Sequence, residues 1–228
     1  MKTVDRHLVS ELRERLLRGE QVVLHGPRGG GKTTVLVAVA AEFLRGSTPC
    51  TVASPATMLA DLVDALAATY GISSNDPRHL ARSLVRTAVE ARSGVLLVDH
   101  VAAWSPPMRT LVRSLAIGAL VVVDVDSQTD HARMRRWRIS HREIEMPRMS
   151  SSELRALLRA GVGDLRPADE AKLIRAARGR PGWVTTCARF ASDPRYRTRG
   201  ALGTEALACD VEIALRTSLS TLAIGVAS

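Results

Sequence analysis

The stretch "LHGPRGGGKTTVLVAV", Leu24–Val39, decides the fold. Within it, Gly26-Pro27-Arg28-Gly29-Gly30-Gly31-Lys32-Thr33 fits the phosphate-loop pattern G-x-x-x-x-G-K-[ST] in full. The glycines let main-chain N–H groups turn inward and approach an anion without an obstructing side chain. Lys32 has the reach for the β- and γ-phosphates, and the Thr33 hydroxyl suits Mg²⁺. Thr34 completes the set of cofactor-contacting candidates. The setting agrees with the motif: an apolar strand signal, Val22–Leu24, precedes it, and a helical pattern runs from Lys32 to about Arg45. That helix points its free N–H groups and positive dipole end at the same anion. The expected ligands are ATP and Mg²⁺.

A second stretch, "SGVLLVDHVAAW", Ser93–Trp104, supplies the other half of such a site. Val95–Val98 is apolar without alternation, as expected of a strand covered on both faces. Asp99 then sits where an acid holds Mg²⁺ directly or through a water; the competing reading is an aspartate capping the next turn. His100 follows it, either orienting water or serving the local structure. Lys32, Asp99 and His100 are the catalytic candidates, and Thr33 and Asp99 the metal ligands. A further strand ends in "VVVDVDSQTD", where Asp124, Asp126 and Ser127 are candidates to touch a terminal phosphate. The register among these three stays open.

Outward from these stretches, strands alternate with helices up to about residue 147. "HLVSELRERLLRG" is a helix by its leucine spacing, and Cys50–Ala53 is a strand. "ATMLADLVDALAATYGI" is a helix closed by Gly71, and "NDPRHLARSLVRTAVEARSG" is another. "SPPMRTLVRSLAIG" starts at Ser-Pro and is expected to run to Gly118. "EIEM" is a short strand after the arginine-rich "HARMRRWRISHR". From Pro147 only helices are expected: "SSSELRALLRAGVG", "RPADEAKLIRAARG", "RPGWVTTCARFA" and a terminal one, with "DPRYRTRGALGT" as a polar connection. The expectation is an α/β domain over 1–147 with a parallel sheet, followed by a helical region over 148–228.

Composition narrows the partners. The 228 residues carry a formal charge of +9, and lysine occurs only at Lys2, Lys32 and Lys172, so the excess is arginine. Such a balance points to polyanions, most simply DNA, through Arg133–Arg142 and Arg195, Arg197 and Arg199. A solvated basic surface is the mundane alternative. Trp137 and Tyr196 lie among these arginines and can either stack on bases or anchor the segment to the core. Three isolated cysteines give neither a disulfide framework nor zinc spacing and fit a reducing cytoplasm. No apolar run approaches a membrane span, so no membrane association is expected. Nothing resembles an acceptor site for a small-molecule phosphotransferase.

Taken together, "GPRGGGKTT", "VLLVDH", "VVVDVDS" and "GRPGWV" resemble the AAA+ ATPases over about residues 4–192. The resemblance implies a five-stranded parallel P-loop NTPase sheet in order 5-1-4-3-2, a small α-helical lid, and ATP held between subunits of a homo-oligomer. It implies that "GRPGWV" is the sensor-2 region, with Arg180 reaching over the nucleotide. It also implies an arginine finger, drawn from Arg109 and Arg113 or from Arg133, Arg135, Arg136 and Arg138. Many such ATPases carry a glutamate where His100 stands, so slow or partner-stimulated hydrolysis is expected. The chain is most similar to the branch with origin-recognition proteins and transposon target-selecting ATPases, which implies DNA and a protein such as a transposase or replication factor as partners. Signalling ATPases share these features, but their large regulatory extensions are not expected within 228 residues; a signalling or scaffold role with a protein partner is the alternative.

Overall fold

The computed structural model describes residues 5–56, 58–72, 83, 85–87, 89–90, 94–101, 104–115, 117–137, 142–198 and 201–217. The chain divides into two compact units, one of residues 1–26 and 32–145, the other of 27–31 and 146–228.

The first unit opens with α1 (Arg6–Leu17). The Asp5 carboxylate caps it, accepting from the main-chain N–H of His7 at 3.0 Å and Leu8 at 3.2 Å. Its leucine stripe buries Leu8, Leu12 and Leu16. Then come β1 (Gln21–Gly26), α2 (Lys32–Leu44), β2 (Cys50–Ala53), α3 (Leu59–Tyr70), β3 (Val95–Val98), α4 (Pro106–Ser114), β4 (Gly118–Asp124), α5 (Gln128–Trp137) and β5 (Arg142–Glu145). The strands form one sheet in order β2-β3-β4-β1-β5, every pair parallel. This is the order expected from the resemblance, read from the other edge.

Burial explains why the central strands carry no polar alternation. β3 is buried at all four residues and β4 at six of its seven. On one face, Val23, Leu96, Val98, Val121 and Val123 pack with Leu62 and Leu66 of α3 and with Met108 and Val112 of α4. α2 buries Val35, Leu36, Val39 and Phe43. With aromatics scarce, branched aliphatic side chains fill the interior, where they suit a pleated and fully covered sheet.

One close approach fixes where β4 begins. A Cβ on Gly118 would lie 2.1 Å from the carbonyl oxygen of Leu16 and 2.7 Å from its carbonyl carbon. The neighbouring Ala119 N–H donates to the Glu20 carbonyl at 3.1 Å. The end of α1 therefore lies directly against this glycine. Gly118→Ala is expected to destabilise the chain by about 1–3 kcal/mol, the usual range for overpacking, lowering the melting temperature by several degrees in thermal unfolding.

The second unit contains α6 (Ser151–Val162), α7 (Pro167–Ala177), α8 (Pro181–Ala191), the two-residue strands β6 (Arg197–Thr198) and β7 (Ala201–Leu202), and α9 (Thr204–Thr217). Ser150 and Glu153 form a capping box at α6: the Glu153 N–H donates to Ser150 Oγ at 3.3 Å, and the Ser150 N–H to Glu153 Oε2 at 2.9 Å. Leu154, Leu158, Leu173, Trp183, Val184, Leu207 and Val211 make its core.

Several elements differ from expectation. The helix from Pro106 stops at Ser114, and Gly118 begins a strand, because the glycine is needed for the approach to α1. The first part of the arginine-rich segment, residues 131–137, lies in α5, which buries Met134. The connection after α8 is not merely polar: it holds a 3₁₀ turn at Pro194–Tyr196 and the antiparallel β6–β7 pair. The Tyr196 hydroxyl donates to Asp210 at 2.5 Å and its ring is buried, so Tyr196 is a packing anchor and offers no face to a base. Most of the helix expected over 75–94 and the terminal 218–228 lie outside the described residues, as do Arg138 and Arg199. Among the described residues, no helix is long and apolar enough to cross a membrane.

Candidate functional site

In the first unit, β1 delivers Gly26 to the end of the sheet and α2 begins at Lys32. Lys32 is 4% exposed, and its Nζ donates to the Gly26 carbonyl at 2.8 Å. The same ammonium lies 2.8 Å from Asp124 Oδ1. Sheet register produces that pair: β4 runs beside β1 with Asp124 opposite Gly26, and the Val125 N–H donates to the Gly26 carbonyl at 2.9 Å. Of the three residues left open at the end of β4, Asp124 is thus the one at the lysine. Ser127 Oγ instead donates to Asp130 Oδ2 at 2.9 Å, and the Asp126 N–H to the same oxygen at 3.2 Å. Thr33 is half-buried in the first turn of α2, while Thr34 is exposed.

Asp99 directly follows β3, on the other side of β4, and is 1% exposed. Its main chain is tied to β2 and the turn beyond: the Asp99 N–H donates to the Ala53 carbonyl at 2.9 Å, and the Ala56 N–H to the Asp99 carbonyl at 3.1 Å. Oδ1 accepts from the His100 N–H at 2.9 Å. Oδ2 is buried with no hydrogen-bond partner among the described residues. His100 has φ 53°, a left-handed backbone that a β-carbon makes costly. Its Nε2 is also buried without a hydrogen bond and lies 3.6 Å from Asp99 Oδ2. Two unsatisfied polar atoms thus face each other at one strand end. Such atoms are expensive to bury unless a water, ion or ligand completes them.

A carboxylate oxygen in this condition is a hard acceptor suited to Mg²⁺, either directly or through a water. His25, unremarked in the sequence, precedes Gly26; burial pushes its pKa down, and its ring meets His131 edge-on at 5.5 Å between centroids.

The second unit holds the middle of the glycine loop. Gly29 and Gly31 have φ 73° and 98°, conformations that glycine adopts without strain. The Gly30 N–H donates to the Pro27 carbonyl at 3.0 Å, and the Gly182 N–H to the Gly29 carbonyl at 2.7 Å. Arg28 Nη1 donates to the Arg216 carbonyl of α9 at 2.8 Å. A Cβ on Gly182 would lie 2.9 Å from Gly29, so the glycine after Pro181 is there for the approach. The sequence signals Gly182 only as part of "GRPGWV".

Arg180 is 9% exposed and forms an ion pair with Glu212 of α9, with one contact at 3.2 Å. It also donates to the carbonyls of Ala177 at 3.1 Å and Ala176 at 3.2 Å. The hydrogen bond from Arg180 holds the Glu212 carboxyl below its ordinary pKa. Sequence reasoning missed Glu212, since no local pattern links residues 32 positions apart.

The basic candidates fall into two groups. Arg133, Arg135 and Arg136 are exposed on α5, and Arg195 is exposed in the second unit. Carboxylates already engage several: Arg133 meets Asp130 at 2.9 Å, Arg142 meets Glu20 at 3.1 Å, and Arg195 meets Asp193 at 2.9 Å. Arg109 and Arg113 lie on α4.

Neither a comparison with protein families nor one with curated proteins finds a match. Solved structures do match. One is a signal transduction ATPase with numerous domains, carrying a tetratricopeptide repeat sensor, from Pyrococcus horikoshii. It has a TM-score of 0.52 and 13% identity over 81% of this chain and 29% of that one. Another is RuvB of Thermotoga maritima, with a TM-score of 0.51 and 17% identity over 94% of this chain and 70% of that one. The chain thus spans under a third of the first protein. At these identities the likeness is one of fold, and the fold is the five-stranded parallel P-loop arrangement of AAA+ ATPases.

Proposed function

We propose that this chain binds ATP with Mg²⁺ and acts as a slow AAA+ ATPase switch that self-assembles, on DNA, in the triphosphate state. One observation carries the reading: a buried lysine ammonium at the start of α2 and a buried, hydrogen-bond-deficient aspartate oxygen just past β3, in a chain with a complete phosphate-loop sequence. In this reading the loop glycines Gly26, Gly29, Gly30 and Gly31, with Pro27, Arg28, Thr33 and Thr34, surround the phosphates. Lys32 supplies the charge. Asp99 and Thr33 hold Mg²⁺, which when bound offsets the negative charge of the terminal phosphates. His100 Nε2, aimed beside Asp99 Oδ2, holds a water in line. An imidazole lacks the fixed negative charge with which a carboxylate polarises an attacking water, and slow turnover follows. Arg180 belongs to the same site in this reading, released from Glu212 when nucleotide is present.

DNA is the partner proposed for the exposed arginines of α5 and for Arg195. Phosphate contacts of this kind release counterions, so binding weakens steeply with salt. Chromatography of the chain with duplex DNA is expected to show co-elution only with MgATP. Affinity is expected to fall about tenfold or more between 50 and 200 mM salt. Retention that ignores salt, or assembly that ignores nucleotide, would sink the proposal. The carboxylate partners of Arg133, Arg142 and Arg195 favour a second reading, a signalling or scaffold ATPase with a protein partner. Absence of DNA retention at low salt, with MgATP-dependent assembly intact, selects it.

A further inference from the structure

We propose that Asp124 sets the choice between nucleoside di- and triphosphates, holding Lys32 as an internal stand-in for the terminal phosphate. The inference rests on the nucleotide site proposed above. A phosphate-loop lysine delivers its charge to the outermost phosphates. Here that charge is already met: Asp124 Oδ1 lies 2.8 Å from Lys32 Nζ, and the ammonium is almost wholly out of solvent. The register of β4 on β1 places the carboxylate there, since Asp124 stands opposite the first glycine of the loop. Of the neighbouring polar residues, Ser127 Oγ donates to Asp130, and Asp126 is exposed.

Two costs then fall on a third phosphate. It has to take the ammonium from Asp124, breaking an ion pair at a mostly buried lysine. It also has to sit beside a carboxylate whose charge Lys32 no longer offsets, and like charges a few ångströms apart repel, by an amount that the partial exposure of Asp124 moderates. A diphosphate ends one group short and meets less of either cost. A neutral amide at residue 124 would remove both, and would add an N–H donor toward the phosphate. Asp124 is therefore a specificity-determining residue: it holds the chain toward the diphosphate-bound or empty state until assembly or a partner offsets the penalty.

The experiment is titration calorimetry of the full chain with MgATP and MgADP, for wild type, Asp124→Asn and Asp124→Ser. Wild type is expected to bind ADP at least as tightly as ATP. Both variants are expected to gain about tenfold in ATP affinity, a change in binding free energy of about 1.4 kcal/mol, with ADP affinity moving less than about threefold. The serine variant separates loss of charge from gain of an amide. Without nucleotide, Asp124→Asn is expected to melt below wild type, because Lys32 loses its carboxylate. It is also expected to show the larger upward shift on adding MgATP. Three results overturn the inference: an ATP-to-ADP ratio unchanged in both variants, weaker ATP binding in the variants, or a wild type that prefers ATP more than tenfold. If wild type binds neither nucleotide, the nucleotide reading falls and this inference with it. If both bind and the ratio does not move, only the role of Asp124 falls.

Discussion

Lys32→Ala is expected to lower MgATP affinity by about 10- to 100-fold in calorimetry, and to abolish nucleotide-dependent assembly at concentrations that saturate the wild type. The magnitude follows from charge-assisted hydrogen bonds, each contributing about 1.5–3 kcal/mol where a charged partner is involved. Lys32 is 4% exposed, so its ammonium acts where water competes poorly. The fold is expected to survive the change. Asp124 keeps 35% of its side chain exposed and can rehydrate once the lysine is gone, whereas a fully enclosed orphan carboxylate could not. Comparable thermal melts for the two proteins check that point. A Lys32→Ala chain that binds MgATP as wild type does would remove the phosphate site from this protein.

The second large effect belongs to Asp99. Asp99→Asn retains an oxygen to accept from the His100 N–H, as Oδ1 does at 2.9 Å, and therefore leaves the strand-end turn in place. It removes the negative charge that Mg²⁺ requires. Phosphate release is expected to fall on the order of 100-fold, the usual consequence of losing a group that stabilises developing charge. The added thermal stabilisation that Mg²⁺ gives over ATP alone is expected to disappear. Nucleotide binding without metal is expected to change little. Full activity in Asp99→Asn would return Asp99 to the turn-capping role that the sequence also allows.

The two aspartates have different partners because strand register, and not residue type, distributes them. Asp99 follows a strand one position removed from β1, and its Oδ2 meets no hydrogen-bond donor among the described residues. Asp124 ends the strand that adjoins β1, so it reaches the lysine. From the sequence, both are simply acids after apolar runs. Asp124, Asp126 and Ser127 were indistinguishable there because a two-residue periodicity gives a face but no endpoint. The endpoint was set by hydrogen bonding between β4 and β1, and by Asp130 capturing the residues that follow.

The second unit shows the same division. "GRPGWV" identified Arg180 as a residue of interest, but its partner Glu212 lies on another helix. Gly182 carries no side chain whose chemistry could advertise it, and its role emerges only from a 2.7 Å bond to the Gly29 carbonyl. Gly118 is similar: read as a helix stop, it is a strand's first residue pressed against Leu16.

By itself, the sequence determined what depends on near neighbours along the chain. A glycine run followed by lysine and threonine sets the backbone freedom and side-chain reach of the loop, since both are local properties. Uninterrupted Val and Leu runs made buried parallel strands, since their apolar surface has to be covered on both faces. The tertiary structure alone decided which acid meets Lys32, which is left unsatisfied, and which helix holds Arg180. Those outcomes turn on ångström-scale distances between segments far apart in the chain, and electrostatic and hydrogen-bond energies are set at that scale.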